Sequence, residues 1–117
     1  MRLAVIGSRN VKSIDLAQYI PEGVTEMISG GARGVDTFAA AYANQHGIPL
    51  TIFLPDYRRY GRGAPLRRNL LIIERADLVL AFWDGKSTGT KFVIECCNQR
   101  KIPIRVILIE EKTALCQ

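Results

Sequence analysis

A chain of 117 residues, 48% hydrophobic and 23% charged, is a globular mixture with room for one domain over residues 1–117, which excludes a disordered or fibrous protein. No apolar run approaches the roughly 20 residues that cross a bilayer, so no membrane span is expected. The net charge of +5 is local: "YRRYGRGAPLRR" (57–68) holds five arginines and no acid, and the other 11 basic residues cancel the 11 acidic ones, which points to an anionic partner near that segment.

The opening "MRLAVIGSRN" lacks the long apolar region and small-residue cleavage site of an export signal, so a cytoplasmic location is expected. Residues 2–8, "RLAVIGS", form the first predicted strand, and Gly7, Ser8 and Arg9 end it. Ser13 to Ile20 predicts a short helix with Ser13 as its cap. The second strand, "TEMISG" (25–30), runs into "SGGARGVD", where Ser29, Gly30, Gly31, Arg33, Gly34 and Asp36 make a bare, charged loop. Val35 to His46 reads as a helix stopped by Gly47. His46 is the only histidine in the chain and reads as a helix-end residue, so no metal site is expected.

"PLTIFLP" (49–55) is the third strand, followed by the arginine segment with Tyr57 and Tyr60 interleaved. Arginine beside tyrosine grips a phosphodiester and stacks on bases, or closes over a small nucleotide in a nearby crevice. Pro65 to Arg75 predicts a helix with proline at its first position and an apolar stripe of Leu66, Leu70 and Ile73. Arg68 and Asn69 lie near its start and reach toward the same mouth. "DLVLAFW" (77–83) is the fourth strand, and "DGKSTGT" (84–90) leads into a helix over Thr90 to Lys101 with Val93, Cys96 and Cys97 facing inward. The fifth strand is "PIRVILIE" (103–110). Cys96, Cys97 and Cys116 show no CxxC or Cys/His spacing and read as plain thiols in a reducing compartment.

Strict alternation of strand and helix, with strands apolar at consecutive positions, predicts an α/β fold: a Rossmann-like three-layer sandwich around a five-stranded parallel sheet. The expected strand order is 3-2-1-4-5, with 2-1-3-4-5 as the alternative. Ligands of such sheets lie beyond the carboxyl ends of the strands at the switch point, here between strands 1 and 4. The loops after strands 1, 2 and 4 all open there. Glycine lets backbone amides approach an anion seated on a helix N-terminus. Arg33 offers a planar fork to phosphate. Asp36 is either a helix cap or part of the site. Ser87, Thr88, Gly89 and Thr90 offer amides and hydroxyls to a phosphate or ribose, with Asp84 opening their loop.

Two familiar phosphate motifs do not fit. "GKS" at 85–87 would place the leading glycine of a P-loop at Leu80, inside a strand, and Gly30-Gly31-x-x-Gly34 is not GxGxxG.

In order and spacing, "AVIGSRN", "SGGARGVD", "APLRRN" and "FWDGKSTGT" resemble the SLOG superfamily (Smf/DprA–LOG), and most of all its small stand-alone members related to YspA and YpsA. The resemblance covers residues 2–109. It implies a Rossmann-like domain, often dimeric, that binds or senses a nucleotide or nucleotide-derived ligand at these loops. Some relatives are LOG-type phosphoribohydrolases, DprA-type relatives bind single-stranded DNA, and other members are thought to sense nucleotide signals in bacterial defence or stress. LOG enzymes carry PGGxGTxxE; here "STGTKFVIE" has no PGG, and the first acid after GT is Glu95. The leading expectation is therefore nucleotide binding. A nucleotide hydrolase or phosphoribohydrolase using Asp36 or Asp84 is the alternative, and single-stranded nucleic acid is a further candidate partner.

Overall fold

The computed structural model describes residues 1–109. Five strands, β1 (Arg2–Gly7), β2 (Glu26–Ser29), β3 (Leu50–Ile52), β4 (Leu78–Trp83) and β5 (Ile104–Leu108), form one sheet in the order β3-β2-β1-β4-β5. Every neighbouring pair is parallel, so the chain has the Rossmann-like α/β order expected from the sequence. Side chains alternate across the sheet, and both faces are covered, which is why the strands read as continuous apolar runs. Leu3, Val5, Met27, Leu80 and Phe82 pack on one side with Val35, Ala39 and Ala43 of α1 (Val35–Gln45). Ala4, Ile6, Ile28, Val79 and Ala81 pack on the other with α3 (Ala64–Arg75) and α4 (Thr88–Arg100).

Between β3 and α3 the arginine segment is itself helical: α2 spans Tyr57–Tyr60 and a 3₁₀ turn spans Gly61–Gly63. The expected helix over 13–20 is reduced to a 3₁₀ turn at Leu16–Gln18, capped by Asp15 and not Ser13: its Oδ1 accepts from the Ala17 amide at 3.3 Å. Pro21 follows four residues after Ala17 and disfavours helical geometry at Ile20, so the segment has no room to propagate. At the start of α3, Ala64 takes the first position and Pro65 the second.

The inward stripe of α3 also differs from the expected one. Ala64, Arg68 and Ile72 are buried at spacing i, i+4, i+8, with Ile73 beside them, whereas Leu66 is 39% exposed. A guanidinium occupies a position that apolar periodicity assigns to a hydrocarbon. On α4, Val93 and Cys97 are buried and Cys96 is half-buried. Burial pushes the Cys97 thiol up to about 11, which suits an inert packing group. Cys116 and the expected end of β5 at Glu110 lie outside the described residues. His46 closes α1, stacking on Tyr42 with ring centroids 4.0 Å apart. Among the described residues, no helix is long and apolar enough to cross a membrane.

Far from the switch point, Glu26 clamps three elements. Its Oε2 accepts from Thr51 Oγ1 at 2.6 Å and Arg75 Nε at 2.7 Å, and Oε1 accepts from Arg75 Nη2 at 3.1 Å. These bonds, the one from Arg75 foremost, hold the Glu26 carboxyl below its ordinary range.

Candidate functional site

The loops after β1, β2 and β4 meet at one edge of the sheet because each is fastened to its neighbour. The Ser8 amide donates to the Phe82 carbonyl at 3.1 Å, and the Asp84 amide donates to Ser8 Oγ at 3.3 Å. Gly34, the residue before α1, sits at φ +73°, where a Cβ would lie 2.6 Å from the Ser8 carbonyl oxygen and 2.7 Å from that of Arg9. Only glycine allows that backbone geometry and that approach together.

The fastened loops surround a cavity of 420 Å³. The first loop contributes Gly7, Ser8, Arg9 and Asn10, and the second contributes Gly30, Ala32 and Asp36. Arg68 and Asn69 come from α3, and Asp84, Ser87, Gly89 and Thr90 from the fourth loop and the start of α4. A second hollow of 230 Å³ lies alongside and shares Arg9, Gly30, Ala32 and Arg68 with the first. Gly31 and Arg33 line this second hollow, with Leu54, Pro55 and Tyr57. Ser29, Gly34 and Thr88 line neither. Ser29 Oγ accepts from the Gly31 amide at 3.4 Å, Gly34 is the hinge just described, and Thr88 is exposed at the outer side of α4. Arg33, the expected phosphate fork, is exposed and lines only the second hollow.

Arg68 is the best-placed cation. It is only 6% exposed; its Nη1 donates to the Gly30 carbonyl and, at 3.3 Å, to the Phe53 carbonyl. Its Nε is buried with no hydrogen-bond partner. Burial lowers the pKa of this guanidinium, Asp36 opposes that, and arginine stays charged regardless. Such an orphaned donor is costly unless something meets it.

Asp36, in the first turn of α1, is not the cap of that helix. Its Oδ2 accepts from the Ala32 amide at 3.0 Å and pins the second loop. Burial raises its pKa, and the Ala32 amide and the charge of Arg68 only partly offset that. Asp84 differs. Burial pushes its carboxyl up as well, but hydrogen bonds from the amides of Ser87 (2.8 Å) and Lys86 (2.9 Å), with help from Ser8 and Asn10, outweigh burial and leave the pKa low. Trp83 Nε1 donates to the Ser87 carbonyl at 3.0 Å and completes the brace around this turn.

At α4 the Ser87 side chain makes no capping bond to the backbone; its Oγ lies 3.4 Å from Thr90 Oγ1. Gly89 and Thr90 in the first turn of this 13-residue helix line the cavity, and the amides of that turn carry the positive end of the helix dipole. Glu95 is exposed and does not line the cavity. The sequence reading missed Asn10, Pro65 and Leu66 at the rim. Asn10 follows Arg9 directly and had a signal; Pro65 and Leu66 were assigned to helix packing instead.

A family model described as YAcAr, "YspA, cpYpsA-related SLOG family", matches residues 1–60. "Gene 61 protein" of Mycobacterium phage D29 is 32% identical over 84 residues, covering 67% of each chain. No solved structure matches.

Proposed function

The chain belongs to the YspA- and cpYpsA-related SLOG family, and from that membership together with the cavity we propose that it binds or senses a nucleotide or nucleotide-derived ligand. One observation carries the reading: the start of α4 at Ser87, Gly89 and Thr90, the exposed Arg9 and the buried Arg68 all line a single cavity at the switch point. Three sources of positive potential around one hollow suit a phosphate group. The volume of 420 Å³ falls in the range of small-molecule sites. Serine, threonine and asparagine hydroxyls and amides on the rim suit the ribose and base.

Binding is favoured over cleavage by what the two cavity carboxylates already do. Asp36 holds the Ala32 amide, and Asp84 holds those of Lys86 and Ser87. Each braces a loop through one of its oxygens, and no acid stands where the LOG pattern GTxxE would put one: that position is Val93, and Glu95 is exposed outside the cavity.

Thermal unfolding in the presence of nucleoside mono-, di- and triphosphates tests the proposal. At least one should raise the Tm by several degrees at ligand concentrations well above its Kd. Arg9→Glu, at an exposed position, should abolish that rise while leaving the ligand-free Tm unchanged. No shift from any nucleotide, or an undiminished shift in Arg9→Glu, overturns it.

A further inference from the structure

The arginine segment lies mostly outside the main cavity, and its chemistry is not used by the reading above. Arg58, Arg59 and Arg62 are exposed, and Arg67 on the first turn of α3 is exposed beside them. No ion pair is recorded for these four residues among the described residues. Asp56, the acid just before the segment, uses its Oδ1 to accept from the Arg59 amide at 3.2 Å as the cap of α2. With the segment's five arginines set aside, the rest of the chain is neutral. Four of these five arginines therefore make one exposed strip, the fifth being the buried Arg68, and such a like-charged strip attracts a polyanion.

Two rings give the strip more than charge. Tyr57 and Tyr60 stand at i and i+3 on α2, which places them on one face. Tyr57 is 57% exposed and lines the second hollow next to Arg9 and Arg33. Tyr60 is flanked by two guanidinium groups, Arg67 at 4.5 Å and Arg59 at 5.5 Å from the ring centroid. Those contacts order both arginines before any partner arrives, which lowers the entropy lost on binding. An exposed aromatic face beside guanidinium groups offers an unpaired strand a base-stacking surface and partners for its phosphates. A duplex keeps its bases stacked on each other and offers nothing to Tyr57.

We propose that the surface of α2 and the first turn of α3 binds single-stranded nucleic acid, with Arg58, Arg59, Arg62 and Arg67 on the phosphates and Tyr57 stacked on a base. This partner is additional to the small ligand of the main cavity and does not depend on it.

Fluorescence anisotropy with a labelled oligothymidylate of about 12 nucleotides, a length within the range of single-strand site sizes, reads the interaction directly. Four phosphate contacts give a logarithmic salt slope of roughly −3, so affinity should fall roughly 20-fold between about 50 and about 150 mM NaCl. Arg59→Glu/Arg62→Glu should weaken oligonucleotide binding by at least about tenfold, since it removes two attractions and adds two repulsions. Tyr57→Ala should weaken it by about tenfold, and Tyr57→Phe should retain it. The nucleotide-induced Tm shift of the main cavity should survive in Arg59→Glu/Arg62→Glu, so failure of either reading leaves the other standing. Unchanged affinity in the charge-reversed pair, unchanged affinity in Tyr57→Ala, or a duplex of equal length binding as tightly as the single strand overturns the proposal.

Discussion

The Arg68 guanidinium on α3 and the Gly30 backbone in the loop after β2 are locked together across 38 residues of sequence: Nη1 donates to the Gly30 carbonyl, and a Cβ on Gly30 would lie 2.5 Å from that same nitrogen. The absence of a side chain at Gly30 is what lets the arginine reach the loop. Gly30→Ala should therefore push Arg68 off its two carbonyl acceptors. The expected cost is about 1–3 kcal/mol, the usual penalty for overpacking a filled site, read from the midpoint of urea unfolding. Nucleotide affinity should fall with it, because the displaced guanidinium no longer faces the cavity.

Truncating the partner tests the same contact from the other side. Arg68→Met keeps much of the hydrocarbon stem but leaves the carbonyls of Gly30 and Phe53 without their donor. Each unsatisfied buried acceptor costs about 1–3 kcal/mol, so a loss of roughly 2–6 kcal/mol is expected from equilibrium unfolding. A change below about 0.5 kcal/mol, the scale of an ordinary surface substitution, would mean that the arginine braces nothing.

Position 68 was legible as a residue of the mouth, and the structure has it lining the cavity, but its burial was not legible. The parallel sheet was legible because strands covered on both faces are apolar at consecutive positions, and the three glycine-, serine- and threonine-rich loops were legible because sheet order brings them to one edge. On α3, periodicity selects apolar residues: it found Ile73, which is buried, and Leu70, which packs against the core, but it also chose the exposed Leu66 and passed over the buried Ala64, Arg68 and Ile72. A buried arginine carries no hydrophobic signal, and its partners, two backbone carbonyls far away in sequence, are created by the fold itself. The 13–20 segment failed for a different reason: local cap and propensity signals cannot show that Pro21 leaves too little length for a helix.

Asp36 and Asp84 line the same cavity, yet their protonation should affect stability with opposite signs. The Asp36 pKa is raised above its ordinary 3.8, so the folded protein holds that proton more tightly than the unfolded chain does. Stability then falls as pH rises from 3.8 through the folded pKa, and at neutral pH the charge is a net burden. Asp84 is lowered, so its contribution is fully present above 3.8 and is lost as pH falls through the folded value. At neutral pH, Asp36→Asn should equal or exceed the native chain in stability, and Asp84→Asn should fall below it. Both differences should shrink as the pH drops well under 3.8, the ordinary pKa of both groups. Urea unfolding across that range checks the pair, and a common sign for the two variants contradicts the assignment.

Thr90 separates ligand binding from folding at the start of α4. Its side chain is buried, and its hydroxyl is 3.4 Å from Ser87 Oγ at the cavity wall. Thr90→Val keeps the shape and removes one polar group from the phosphate side. Nucleotide affinity should drop at least about tenfold, the worth of roughly one hydrogen bond to a charged group, as measured by calorimetric titration. Unaltered affinity would place the phosphate elsewhere along the cavity.

Arg9 and Arg33 are the two exposed arginines that flank the loops, and their placement predicts unequal effects. On sequence alone Arg33 is the natural phosphate fork, since it sits within the glycine-rich turn. In the fold it lines only the second hollow, while Arg9 lines both. Coulomb attraction falls with distance and is screened strongly in solvent, so a charge one hollow away from the phosphate contributes little. Arg9→Glu should cost mononucleotide binding at least about tenfold, and Arg33→Glu no more than about twofold, at physiological salt. A ligand long enough to extend from the first hollow into the second reverses that expectation for Arg33, because its far group then meets Arg33 and Tyr57 directly. Titrating both variants with a mononucleotide and with a longer nucleotide derivative reads this out. Equal losses for the two variants with the mononucleotide would mean that the phosphate lies on the Arg33 side of the Arg9–Arg68 saddle, and that the glycine-rich turn, not the start of α4, is the anion seat.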